Sequence, residues 1–214
     1  MTVDAASRPA RDTYRHGDLR RALLTAGLDL ARAGGPEAVV LREATRRVGV
    51  SPAAAYRHFA DRQALLRAVG AAALSMLALA MEAELAALPR DGEPVAAARD
   101  RLRAVGTGYL RFARAERGLF HTAFAVLAPV PGASGVTGRG GSGLSPFELL
   151  ANALDGLVTT GTLDPARRPG AEYLAWSAVH GLAMLAIDGP LRGLADADAA
   201  AIGQRLLDMV ERGL

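Results

Sequence analysis

At 214 residues, half of them apolar, the chain can bury a core as one domain or as a small domain joined to a larger one. It contains no cysteine, which excludes a disulfide framework and a thiolate metal site and fits a reducing compartment. The formal charge of +3 is unevenly spread, with twelve arginines against seven acids in residues 1–70 and thirteen against fifteen in residues 71–214, so any polyanion would meet the N-terminal part.

Residues 1–13 are polar, lack the apolar segment of a secretory leader, and read as a flexible tail. Arg8 and Arg11 have the chemistry of a minor-groove arm, but a plain disordered tail is the simpler reading. A first helix is predicted from about Asp18 to Ala33, with Leu19, Ala22, Leu23, Ala26 and Leu30 on one stripe and Gly34-Gly35-Pro36 as its stop. His16, just ahead of it, reads as a local hydrogen-bonding residue rather than a ligand.

The stretch from 37 to 66, EAVVLREATRRVGVSPAAAYRHFADRQALL, organises the rest. Val40, Leu41, Ala44 and Val48 share a face of a helix near 41–48, and Gly49 supplies the left-handed residue that ends it. Ser51 can cap the next helix, with Pro52 at its first position, and Asp61 opens a third. Two helices joined by so short a turn form a helix-turn-helix. Tyr56, Arg57 and His58 near the end of its second helix, and Arg62 beyond it, are the cationic and hydroxyl groups that phosphate contacts require. Ala53, Ala54 and Ala55 can press methyls against thymine but offer few donors, so base readout is assigned to Arg42, Thr45 and Arg57.

A long helix from Asp61 to about Leu88 would join this unit to the rest; its apolar run, 68–81, is too short to span a bilayer. A helix from about Pro94 to Ala115 follows, then GLFHTAFAVLA at 118–128, where Phe120 and Phe124 share a face and are candidate pocket walls. Residues 129–145 are a Gly/Ser/Pro loop. Its GRGGSG could pass for a phosphate cradle, but it has no strand before it and no Lys-Ser/Thr after it, so nucleotide binding is set aside. Ser145-Pro146 starts a helix to about Thr160. The last two helices, 171–188 and 196–212, each have an apolar face, and the first places Trp176 and His180 one turn apart with Gly181 permitting close helix contact. His180 has no second ligand at metal-binding spacing and is read as an interior histidine beside a ligand pocket.

YRHGDLRRALL at 14–24, LREATRRVGVSPAAAYRHFADRQALL at 41–66 and WSAVHG at 176–181 resemble the tetracycline-repressor-like (TetR) family of bacterial transcription regulators, in the branch named for a Trp-His-Gly signature. The resemblance implies an all-α fold: a three-helix DNA-binding domain at 14–64 and a helical ligand-binding and dimerisation domain at 65–214. Tyr56, His58 and Arg62 correspond to phosphate-contacting positions, Ser51, Pro52, Ala53 and Ala54 to the part of the recognition helix that meets DNA, and the last two helices to a four-helix dimer interface. It further implies a cytoplasmic homodimer, released from a palindromic DNA operator by a small apolar effector held near Phe120, Phe124, Trp176 and His180. No cofactor, metal or membrane partner is implied. An enzyme is disfavoured, since there is no nucleophile elbow, HExxH, paired carboxylates or dinucleotide fingerprint. The alternative is an all-helical protein-interaction module with weak or no sequence-specific DNA binding, favoured only by the alanine-rich recognition helix.

Overall fold

The structure, a computed structural model, describes residues 16–125 and 138–214. The tail at 1–13, with Arg8 and Arg11, and the loop segment at 129–137 lie outside the described residues. Nine α-helices and one short 3-10 turn are present among the described residues, with no strand. α1 (His16–Ala38) is one helix as far as Ala33; Gly34 and Gly35 leave helical geometry and kink it, where the sequence placed its stop.

α2 (Leu41–Val48) and α3 (Pro52–Tyr56) form the helix-turn-helix. Gly49 has φ 73°, a left-handed conformation costly for any residue with a Cβ, and its amide caps the end of α2. Ser51 Oγ accepts the Ala54 N–H at 3.3 Å and starts α3. Leu23 of α1, Val39, Leu41 and Ala44 of α2, Ala55, Phe59 and Leu65 are all buried, so three helices and the start of a fourth share one small core.

α4 (Arg62–Ala86) runs from that core into the body, and α5 (Pro94–Ala115), α6 (Arg117–Ala125), α7 (Pro146–Thr159), α8 (Ala171–Ile187) and α9 (Asp196–Gly213) complete the chain. α4, at 25 residues, is longer than the apolar run within it, and with an 18-residue stretch of mean hydropathy 1.9 it is long and apolar enough to cross a bilayer by length and composition alone. Half of its most apolar stretch is instead buried, against α1, α5, α6 and α7. Gly108 lets α5 lie close on α4, since a Cβ there would come within 2.6 Å of Met81 Cα.

The buried core is continuous from α1 to α9. The helix-turn-helix is therefore joined to the later helices twice, through α4 and through α1, which packs on α6 and donates from Arg32 Nε to Glu116 at 2.8 Å. On the far side Arg103 of α5 pairs with both Asp208 and Glu211 of α9.

Candidate nucleic-acid interface and ligand cavity

α2, α3 and the residues just after α3 hold most of the predicted DNA-binding residues. Arg42, Ser51, Pro52, Ala53, Tyr56 and Arg57 are exposed, Ala54 and His58 are half-buried, and Ala55 and Phe59 face the core. Tyr56 is 57% exposed, much for a tyrosine on a helix otherwise turned inward by Ala55. Arg46 and Arg47 at the end of α2 both donate to Glu43, and the Arg46 pair foremost draws the Glu43 carboxyl down to about 2. The carboxylate offsets one of the two positive charges there.

Two residues predicted as contacts are turned inward. Thr45 is 2% exposed and its hydroxyl donates to the Arg42 carbonyl at 2.7 Å, so it presents no donor to a base edge. A β-branched residue one turn before the helix end satisfies its own hydroxyl along the helix, and sequence spacing does not reveal that choice. Arg62, read as a phosphate contact, turns back instead: Nη2 donates to the Pro36 carbonyl at 2.8 Å and Nε to the Val39 carbonyl at 3.0 Å, with Glu37 at 3.2 Å.

In the body, Leu74 and Met81 of α4, Gly106 and Tyr109 of α5, Phe124, Phe147 of α7, Trp176 and Val179 of α8 and Leu207 of α9 line an apolar cavity enclosing about 50 Å³. Of the four predicted ligand-binding residues, Phe124 and Trp176 are on its wall. Phe120 is not: it is fully buried behind Phe124, ring centroids 4.8 Å apart, and edge-on to Tyr109 at 5.5 Å. His180 is not on the wall either; it stands beyond Tyr109, whose hydroxyl is 2.8 Å from its Nδ1.

Tyr109 and Phe147 were missed by sequence reasoning. Tyr109 stood among the apolar residues of its helix, and no periodicity links residue 147 to residue 176. The one signal at hand was the scarcity of aromatic residues, which makes each of them a candidate for a shared cluster. The Tyr109 hydroxyl also accepts the Trp176 indole N–H at 3.1 Å. Burial pushes its pKa well above the ordinary phenol range, so it stays protonated. Burial first, and the charge of His121 second, push His180 below its ordinary value.

The glycine-rich segment turns out to hold an anion of the chain's own. The N–H groups of Gly141 and Ser142 donate to the Glu82 carboxylate of α4 at 2.8 and 2.9 Å, and the Ser142 hydroxyl joins them. Part-burial of Glu82 works against ionisation, but these donors outweigh it and hold the carboxyl below its ordinary value. Residues 138–145 are thus a strap across α4. It leads through the Ser145–Glu148 capping box into Pro146 and Phe147 on the cavity wall.

Comparison with known proteins matches residues 23–69 to the family described as bacterial regulatory proteins, tetR family, and residues 102–210, half of the chain, to the tetracyclin repressor-like C-terminal domain. The chain belongs to the TetR family. That description names no Trp-His-Gly branch. TetR proteins are regulators rather than enzymes, and the function of the fold is DNA-binding transcriptional regulation.

Similar solved structures include a protein of unknown function from Rhodococcus sp. RHA1, 29% identical with a TM-score of 0.74 over 95% of this chain and 99% of that one. A bacterial regulatory protein in the tetR family from Rhodococcus RHA1 aligns at 19% identity and a TM-score of 0.57, over 91% and 95%. The TetR regulator PfmR from Thermus thermophilus aligns at 22% and 0.54, over 90% and 98%. The last two show the fold alone. No curated protein matches the chain.

Proposed function

We propose that the protein is a ligand-released homodimeric repressor. Two helix-turn-helix units related by a two-fold axis bind half-sites of a palindromic operator in successive major grooves, with residues 14–64 as the reading head and 65–214 as the ligand-binding and dimerisation body. Tyr56 and His58 hold phosphates; Arg42 and Arg57 reach base edges, while Ser51, Pro52, Ala53 and Ala54 allow the close approach of α3. Its place of work is the cytoplasm, where bacterial DNA lies.

The observation that carries this reading is that one helix serves both ends: α4 begins at the reading head and puts Leu74 and Met81 into the cavity wall. An effector that spreads the walls of this narrow cavity moves α4 with them. Among the described residues the cavity's one charged lining residue, Arg103, is neutralised by Asp208 and Glu211, which favours a neutral apolar effector. Release can be no larger than the effector's difference in affinity for the two shapes.

A dimer face is supported by α8, where Leu174 (67% exposed), Leu185 and the open side of Gly181 share a stripe; among the described residues nothing lies within 4 Å of a Cβ placed at Gly181, so the close contact foreseen there is not made by them. The test is selection of random duplex DNA by the purified protein, followed by sizing of the complex. Enrichment of a palindrome bound by two chains supports the proposal, and a pool that stays random, held only through salt-sensitive phosphate contacts, overturns it.

A further inference from the structure

We propose that Arg62 is a positioning residue that fixes the reading head on α4, and is not a phosphate contact. The inference rests on the regulator reading above and gives Arg62 a role within it.

The chain between α1 and α2 makes a turn in which the Val39 N–H returns to the Pro36 carbonyl at 3.2 Å. Val40 follows as the N-cap of α2 and has no side-chain cap of its own; its carbonyl takes the Ala44 N–H at 3.0 Å. The position of this turn therefore sets where α2 begins. Arg62, the first residue of α4, spans the turn, with Nη2 on the Pro36 carbonyl at 2.8 Å and Nε on the Val39 carbonyl at 3.0 Å.

A guanidinium is planar and its N–H groups point in fixed directions, so two carbonyls held by one guanidinium fix both the distance and the angle between the start of α4 and the start of α2. The fork edge spent on these carbonyls is one with which an arginine would grip a phosphate. The Glu37 carboxylate is 89% exposed and adds little beyond orientation. Val39 is fully buried, so the turn cannot shift without disturbing the core beneath it. A tilt of α4 is thereby carried into α2 and from α2 into α3.

Lysine separates the two roles. It keeps the charge and can reach a phosphate, but a single ammonium does not reproduce a planar fork across two carbonyls. The experiment compares wild type and Arg62→Lys on the duplex that wild type enriches from a random pool and on a random duplex of equal length, over a range of salt. Positioning predicts that Arg62→Lys loses tenfold or more on the enriched duplex and less than twofold on the random one, with the salt slope unchanged, because loose phosphate binding tolerates a misaligned head. Arg62→Lys binding like wild type on the enriched duplex overturns the proposal. So does an Arg62→Met variant that loses affinity on both duplexes alike and lowers the slope by about one.

If wild type enriches no sequence, the regulator reading fails by itself, and amide exchange in the free protein still decides the pin. Faster exchange confined to residues 39–44 in Arg62→Lys supports it, and unchanged exchange there overturns it.

Discussion

The Tyr109 hydroxyl shares a 2.8 Å hydrogen bond with His180 Nδ1 while accepting the Trp176 indole N–H at 3.1 Å. The indole nitrogen can only donate, so the hydroxyl oxygen is the acceptor in that bond. Replacing Tyr109 with Phe leaves the Trp176 N–H and His180 Nδ1 unpaired together, a loss of about 1–2 kcal/mol. Denaturant unfolding measures it as a lower midpoint at unchanged slope.

Burial of His180 in this cluster makes stability depend on pH. The folded His180 has a lower proton affinity than its ordinary value of 6.5, so the folded state binds fewer protons than the unfolded chain. The contribution is complete above pH 6.5 and is lost as pH falls through the folded value. Thermal melts of wild type should decline over that window, and His180→Gln, which keeps an acceptor but does not titrate, should decline less.

Tyr56→Phe removes a hydroxyl from an exposed ring. Stability should stay within about 0.5 kcal/mol of wild type. Binding to the enriched duplex and to random duplex should weaken together by about 1–2 kcal/mol, as a lost hydrogen bond to a charged group does. Titration on both duplexes reads this, and a loss confined to the enriched one would show Tyr56 reading bases.

Thr45→Val tests the reverse case. The buried hydroxyl serves only its own helix, so sequence preference on a mismatched panel of duplexes should be unchanged, with stability altered by less than about 1 kcal/mol. A changed preference at one base pair would restore Thr45 to the contact surface.

Glu82→Gln loosens the strap. An amide offers one acceptor oxygen where the carboxylate offers two, and its NH₂ faces the N–H donors of Gly141 and Ser142. The stability cost is about 1 kcal/mol, since these bonds are near the surface. Hydrogen exchange should accelerate at Gly141 and Ser142 and leave α2 and α3 unchanged.

Much of this was legible in the sequence. Gly49, Ser51-Pro52 and Asp61 placed the helix-turn-helix to the residue because each acts on its own backbone. Phe124 and Trp176 were legible as wall residues because so few aromatics compete for the role. What sequence does not carry is where a long side chain ends. Arg62 reaches back more than twenty residues, Glu82 forward about sixty, and Tyr109 joins a residue seventy further on. The GRGGSG segment has the right chemistry for an anion, and only the fold says that the anion is Glu82. Phe120 and Phe124 share a helical face, yet one turn of depth puts the first behind the wall and the second in it.

The narrowness of the cavity bears on which small molecules would act. In the proposed regulator, a compound that fits the narrow cavity and binds both shapes equally changes nothing, however tightly it binds. It would occupy the site as a silent competitor. A bulkier compound gives up part of its affinity in spreading the helices, and only that part is converted into release. Tight binding and strong induction are then separate properties of a ligand, so a screen ranked by affinity alone would favour antagonists over inducers.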